Sequence, residues 1–280
     1  MSFLALIVAL ILVQGWPFGP LLHRDDWFRR WRAWLHNLGL AGIFGTLVAV
    51  GIPALCLQFV LDAVQPVLFG LLWIALAVAA LLYAVGRGDL SGQLEQYRSQ
   101  LRRDDFEGAY LYACGEMGRF ESRDGQDLSP GAVHESIQRE FLYRGYEHWF
   151  AILFYFLVLG PAGAVAYRLL HLIPPGEAGL PRLLFFVDWI PARLLAAAFT
   201  VTGNFVESWD ELLDSLTAPD MTAPAVLYSV AMAATGEDRR PAPDTGYGVF
   251  AARQNEYLTA LMRRSFVFWL VLISALVVLV

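Results

Sequence analysis

Long apolar runs set the limits on what this chain can fold into. Gly39–Leu61, Val64–Gly86, Phe150–Leu172 and Ser265–Val280 alternate with arginine-rich polar segments. A fifth apolar stretch, Arg182–Ser208, carries Asp188 and Arg193 on either side of Pro191. A membrane helix needs about 20 mainly apolar residues, and the longer runs meet that length. Composition agrees: 57% of the 280 residues are hydrophobic and 16% charged, against about 45–50% and about 25% in soluble domains. The expected fold class is all-α, a polytopic membrane helical bundle with a helical region at the cytoplasmic face.

The polar segments divide the chain further. Residues 1–86 read as membrane helices, including a first one in the uncharged stretch 1–22, with an amphipathic interfacial helix at His23–His36. There Trp27, Trp31 and Trp34 recur at helical spacing, and Arg24, Arg29, Arg30 and Arg32 are placed to meet lipid phosphates. Residues 87–148 read as a cytoplasmic helical region, with one long helix from about Leu90 to Phe120. A turn follows at Asp124-Gly125, then a second helix capped by Ser129 with Pro130 at its first position. Residues 149–206 supply a membrane helix and a segment expected to kink or break at Pro191. Residues 207–264 form a second cytoplasmic helical region containing a flexible loop, Gly236–Gly248. Residues 265–280 give a C-terminal membrane helix.

Arginine placement sets the expected orientation. All 20 basic residues are arginine, and most of those in loops lie in 23–38, 87–148 and 207–264. The positive-inside rule puts those three segments in the cytoplasm. Residues 62–66 and 173–182 then fall outside, and the chain reads as a multi-pass protein of the bacterial inner membrane. Gly42 and Gly45 suit close approach by a neighbouring helix. The oligomeric state is left open.

No phosphate-binding glycine loop, nucleophile–base arrangement or cysteine ligand spacing stands out. Cys56 and Cys114 are isolated, and the five histidines are dispersed. No catalytic residue, metal site or cofactor is expected from the pattern, and no nucleic-acid partner. Charges at membrane depth require partners, a wet cavity or a function. The candidate ligand-binding residues are therefore those where a polar helix meets lipid, Glu135, Tyr143, Arg144, Glu147 and His148, together with Asp188, Trp189 and Arg193. The competing reading is a belt of salt bridges that fixes helix depth. The expected partners are the lipid bilayer and a protein or small ligand at the cytoplasmic face.

Two strings carry a family resemblance. FAILFYFLVLGPAGAVAYRLL (Phe150–Leu170) followed by VDWIPARL (Val187–Leu194) resembles the pattern shared by AmpE proteins and the CobD/CbiB cobinamide-phosphate synthases. The start MSFLALIVALIL and the chain length suit AmpE. The resemblance implies an inner-membrane regulatory or sensory protein linked to beta-lactamase induction and the antibiotic response, and not an enzyme. The synthase branch would imply ATP- and magnesium-dependent amide formation on a corrinoid acid. Where those enzymes carry acidic Glu-Asn…Asp and paired aspartates, this chain offers Tyr143-Arg144, Glu147 and Leu184-Phe185. Most carboxylates that could hold magnesium are thus missing. A synthase would need Glu135, Glu147 and Asp188 to converge on a metal. A membrane transporter or lipid-binding protein is the third reading, and it would call for a polar pathway.

Overall fold

The computed structural model describes residues 25–66, 70–85, 90–117, 130–174, 176–236 and 246–279. The expected membrane helix in 1–22, the Asp124-Gly125 turn, the Ser129 cap and most of the Gly236–Gly248 loop fall outside these residues. Among the described residues all regular structure is helical. In chain order the helices are α1 (Asp26–Asn37), α2 (Gly42–Val64), α3 (Leu71–Ala84), α4 (Leu90–Leu101), α5 (Phe106–Met117), α6 (Pro130–Gly145), α7 (Ala151–His171), α8 (Leu180–Thr202), α9 (Phe205–Thr217), α10 (Ala223–Ala234) and α11 (Tyr247–Leu279). A π-helical turn, Tyr146–Phe150, joins α6 to α7. The stretches 42–64, 131–171, 180–202 and 247–275 are long and apolar enough to cross a membrane by length and composition. The molecule is a membrane helical bundle.

The chain divides into two compact units, one drawn from 1–87 and 147–191, the other from 88–146 and 192–280. In the first unit α2 and α3 pack on α7. The expected crossing helix Phe150–Leu172 is not one rod. Gly160 has φ 75° and ψ −169°, a region of backbone space essentially reserved for glycine. The chain turns back there. Glu147 Oε1 lies 3.0 Å from His171 Nδ1, whereas 24 residues of straight helix would separate them by about 36 Å. Tyr155 and Tyr167 stack with ring centroids 5.2 Å apart, again out of reach on a rod. A Cβ on Gly163 would come within 2.9 Å of the Tyr155 carbonyl, so this glycine lets the two arms touch. Segment 147–171 is therefore a helical hairpin. Its arms, Ala151–Leu159 and Pro161–His171, are only about 14 and 17 Å long, each short of the roughly 30 Å hydrocarbon core.

This hairpin corrects the expected threading. Both of its ends lie on one side, and α1 joins them there through the ion pairs Arg168–Asp25 (3.6 Å) and Arg32–Glu177. Segments 23–38 and 173–182, expected on opposite faces, meet. The apolar length of 150–172 is ambiguous because a reversal uses the same residues as a span. α3 differs too: its 14 residues extend only about 21 Å, shorter than the span expected over Val64–Gly86. Gly42 and Gly45 serve the start of α2. Gly42 adopts φ +67°, and a Cβ on Gly45 would strike the Leu40 carbonyl.

Two prolines sit inside continuous helices of this unit, and each is compensated in the same way. Proline removes the N–H that would bond the carbonyl four residues earlier. For Pro53 that acceptor is Ala49, whose oxygen receives the Trp31 indole N–H at 3.1 Å. For Pro191 it is Val187, whose oxygen receives the Tyr155 hydroxyl at 2.7 Å. α8 thus runs through Pro191 as one continuous helix, where a kink or break was expected.

In the second unit α4 packs on α5 and α11, α6 packs on α5, α10 and α11, and α9 packs on α10. The single helix expected over Leu90–Phe120 is two, parted by a turn in which Asp104 takes φ 55°. Close approach is again made by glycine, since a Cβ on Gly248 would strike the Leu101 carbonyl. Asn204 caps α9 by accepting from the Glu207 N–H, and its own N–H donates to the Ala234 carbonyl at 2.7 Å. The two C-terminal pieces expected at 249–262 and 265–280 are one 33-residue helix, α11. Buried Ser265, within this helix, shares a 2.7 Å hydrogen bond with Thr202.

Candidate functional site

The hairpin assembles a polar cluster inside the first unit. Its first arm is preceded by Glu147, and its second arm supplies Tyr167 and His171, four residues apart and hence on one helical face. α8 supplies Asp188. The exposures of Glu147, Tyr167, His171 and Asp188 are 5%, 3%, 7% and 2%, so four polar groups share one buried region. The Tyr167 hydroxyl donates to Asp188 Oδ1 at 2.9 Å. His171 stands between two carboxylates, with Nδ1 3.0 Å from Glu147 Oε1 and Nε2 4.0 Å from Asp188 Oδ1. Its ring lies 4.5 Å from that of Tyr167, centroid to centroid. Burial of an unpaired charge is costly, and polar groups gathered around each other lower that cost. Such a group can exchange an internal partner for an external one.

The surroundings fix the cluster in place. The Tyr155 ring stacks on Tyr167, and its hydroxyl holds the Val187 carbonyl one residue before Asp188. Next to His171 on the chain side, Arg168 pairs with Asp25, which also accepts from the Tyr83 hydroxyl at 3.2 Å. α1, α3, the hairpin and α8 are thereby tied together by polar contacts. A small gap borders the cluster, lined by Glu147, His148, Ile152, Tyr167, Arg168 and His171. Half-buried His148 thus shares this gap with Glu147. Trp189, next to Asp188, is half-buried on a different side of α8.

The other sequence candidates lie in the second unit. Glu135 and Arg139 form an exposed i,i+4 pair at 2.6 Å, and Arg139 sits 4.9 Å over the Tyr228 ring. Arg144 pairs with Glu140 at 2.9 Å, and Tyr143 stacks on Tyr146. Arg193 is buried and donates through Nε to the Ser215 carbonyl at 3.0 Å and through a terminal nitrogen to the Ala218 carbonyl at 3.1 Å. Those carbonyls belong to the C-terminal end of α9, where orphan acceptors and the helix dipole favour a cation. Arg193 therefore caps a helix.

This unit has its own buried polar network on the polar side of the chain. His134 lies in the charged helix α6, ahead of the apolar part of 131–171. It contacts the Tyr97 hydroxyl through Nδ1 at 2.9 Å and Gln254 Oε1 through Nε2 at 3.1 Å, with the Gln138 amide beside it. Burial pushes the Tyr97 phenol up. A neutral imidazole that donates through Nε2 to Gln254 and accepts the Tyr97 hydroxyl at Nδ1 satisfies those two partners. Among the described residues, no group of three or more His, Cys, Asp or Glu side chains has an arrangement that could hold a metal ion.

Sequence reasoning picks out Glu147 and Asp188 but not Tyr167 and His171. A Tyr-x-x-x-His face inside an apolar run was the available signal, since ionisable groups at membrane depth mark sites. What joins them to Glu147 is the reversal at Gly160, which apolar periodicity does not encode.

Comparison with known proteins follows the same lines. No solved structure matches the chain. It is 31% identical over 172 residues to the cobalamin biosynthesis protein CobD of Chromobacterium violaceum, over 58% of this chain and 54% of that protein. The chain thus spans about half the length of the curated relative it matches. The family described as regulatory signalling modulator protein AmpE matches residues 1–238, and with its membrane-type helical bundle the chain belongs to that family of regulatory membrane proteins.

Proposed function

We propose that the chain is an inner-membrane regulator in the induction of a beta-lactamase, and that the Glu147–Tyr167–His171–Asp188 cluster is its responsive element. The family match over 1–238 supports the regulatory part. The observation that carries the role of the cluster is its build: two carboxylates and an imidazole, buried and engaged with one another. A group of this kind has two arrangements, paired inward or released to a ligand or partner, and a small change in charge selects between them. No catalytic residue and no cofactor are assigned, and the partner or ligand contact lies at the cytoplasmic face.

The test is genetic and enzymatic. In a host with an inducible chromosomal beta-lactamase, the gene is deleted and restored as wild type, Asp188→Asn or His171→Gln. Beta-lactamase activity is then followed against inducer concentration. Deletion should shift the induction curve, wild type should restore it, and the two variants should restore it incompletely at normal protein levels. An induction curve unchanged by deletion overturns the reading.

The CobD similarity favours a second reading, a membrane synthase of corrinoid amides. Purified protein given magnesium-ATP, an amino alcohol phosphate and a corrinoid acid would then form the amide, and Glu147→Gln would abolish it.

A further inference from the structure

Two clefts in the first unit meet at one residue. The larger, about 490 Å³, opens between α1, the start of α2 and the turn before α8. Its polar lining includes Arg29, Arg32, His36, Asn37, Thr46 and Glu177. The smaller, about 230 Å³, lies between α2, the hairpin and α8, and is lined by Leu47, Val50, Tyr155, Leu159, Leu170 and Val187 among others. Thr46 lines both. We infer that the pair forms one binding site for an anionic phospholipid, with the phosphate headgroup at the arginines and part of an acyl chain in the apolar cleft.

The chemistry of the two halves argues for an amphiphile. A free phosphate would use only the arginine-lined cleft, and an apolar ligand only the other. Arg29 and Arg32 are each held by a carboxylate, Asp26 and Glu177 respectively, which orients both guanidiniums at the rim. A guanidinium carries five N–H donors in a fixed fork, so one carboxylate contact does not exhaust its capacity for phosphate oxygens. α1 is the helix whose Trp31 and Trp34 stack on each other with centroids 5.3 Å apart, the aromatic character of a headgroup-level helix. Trp31 also donates to the Ala49 carbonyl, and Ala49 itself lines the larger cleft. The floor of the apolar cleft is the hairpin arm that carries Tyr167, so a bound chain would rest on the residue that holds Asp188.

Binding is tested on the full chain in a neutral detergent by calorimetric titration with dioctanoyl phosphatidylglycerol, dioctanoyl phosphatidylcholine and inorganic phosphate. Saturable binding of the first, at least about tenfold tighter than either of the others, is expected, since one charge-assisted contact is worth roughly a factor of ten. The double variant Arg29→Gln, Arg32→Gln should lose that preference. Gly51 lines the apolar cleft, and no atom lies within 4 Å of the position a Cβ would take there. A side chain at position 51 therefore meets no neighbour at its Cβ, and Gly51→Leu should intrude on the cleft and weaken the lipid while leaving phosphate unchanged. Glu177→Gln removes the competing carboxylate and should tighten the lipid, an outcome that misfolding would not produce. Equal binding of the two lipids, or of phosphate and phosphatidylglycerol, overturns the site as an anionic-lipid site. So does wild-type affinity in the double arginine variant or in Gly51→Leu.

Discussion

The hydroxyl of Tyr155 substitutes for a missing backbone donor, and a double-variant cycle measures this directly. Pro191 leaves the Val187 carbonyl without its helical N–H, and Tyr155 supplies a 2.7 Å hydrogen bond in its place. Tyr155→Phe keeps the ring and its stacking on Tyr167 but removes the donor, leaving the carbonyl unsatisfied. The expected loss is about 1–3 kcal/mol. In a Pro191→Ala background, the N–H of residue 191 returns to the Val187 carbonyl, and the same tyrosine change should cost less than about 1 kcal/mol. The coupling between the two positions is therefore about 1–2 kcal/mol, within the range found for residues sharing one hydrogen-bonded group. Thermal unfolding of the detergent-purified protein reads it, at about 2–4 °C per kcal/mol for a chain of this size. An equal drop in Tm for Tyr155→Phe in both backgrounds would refute the compensation argument.

Four further outcomes follow from the structure. Spin labels at positions 148 and 172, in a cysteine-free background, should report a short separation by pulsed dipolar spectroscopy, against about 36 Å for a straight helix; Gly160→Ala should lower stability by about 1–3 kcal/mol through backbone strain alone, because no atom lies within 4 Å of its Cβ position. Asp188→Leu removes the acceptor of the Tyr167 hydroxyl and should cost about 1–3 kcal/mol, with Asp188→Asn, which keeps an acceptor, costing less in the same melts. Arg193→Met removes two bonds to the end of α9 and should speed hydrogen exchange in the last turn of that helix, with unchanged exchange refuting the capping role.

Much of the bundle is legible in the sequence because local chemistry determines it. The apolar runs around 42–64 and 180–202 form α2 and α8, and the tryptophan spacing at 27, 31 and 34 belongs to the amphipathic α1. Charges within apolar stretches, Asp188 above all, require partners, and the structure places Asp188 against Tyr167. The resemblance of Phe150–Leu194 points to the family that matches residues 1–238.

Tertiary structure decided which residues meet. Apolarity records only that a segment avoids water, and a straight span and a folded hairpin bury the same residues, so 150–172 reads as a crossing helix although Gly160 reverses it. At Pro191 the helix runs on where a kink or break was expected, because a tyrosine 36 positions earlier donates to the freed carbonyl, a compensation with no local signature. Arg193 and Asp188, five residues apart on one helix, went to different tasks for the same reason: helical phase sends them to different neighbours, and those neighbours come from distant parts of the chain. Sequence determined which groups required partners, and only the folded chain, by bringing distant backbone and side chains within hydrogen-bonding distance, supplied them.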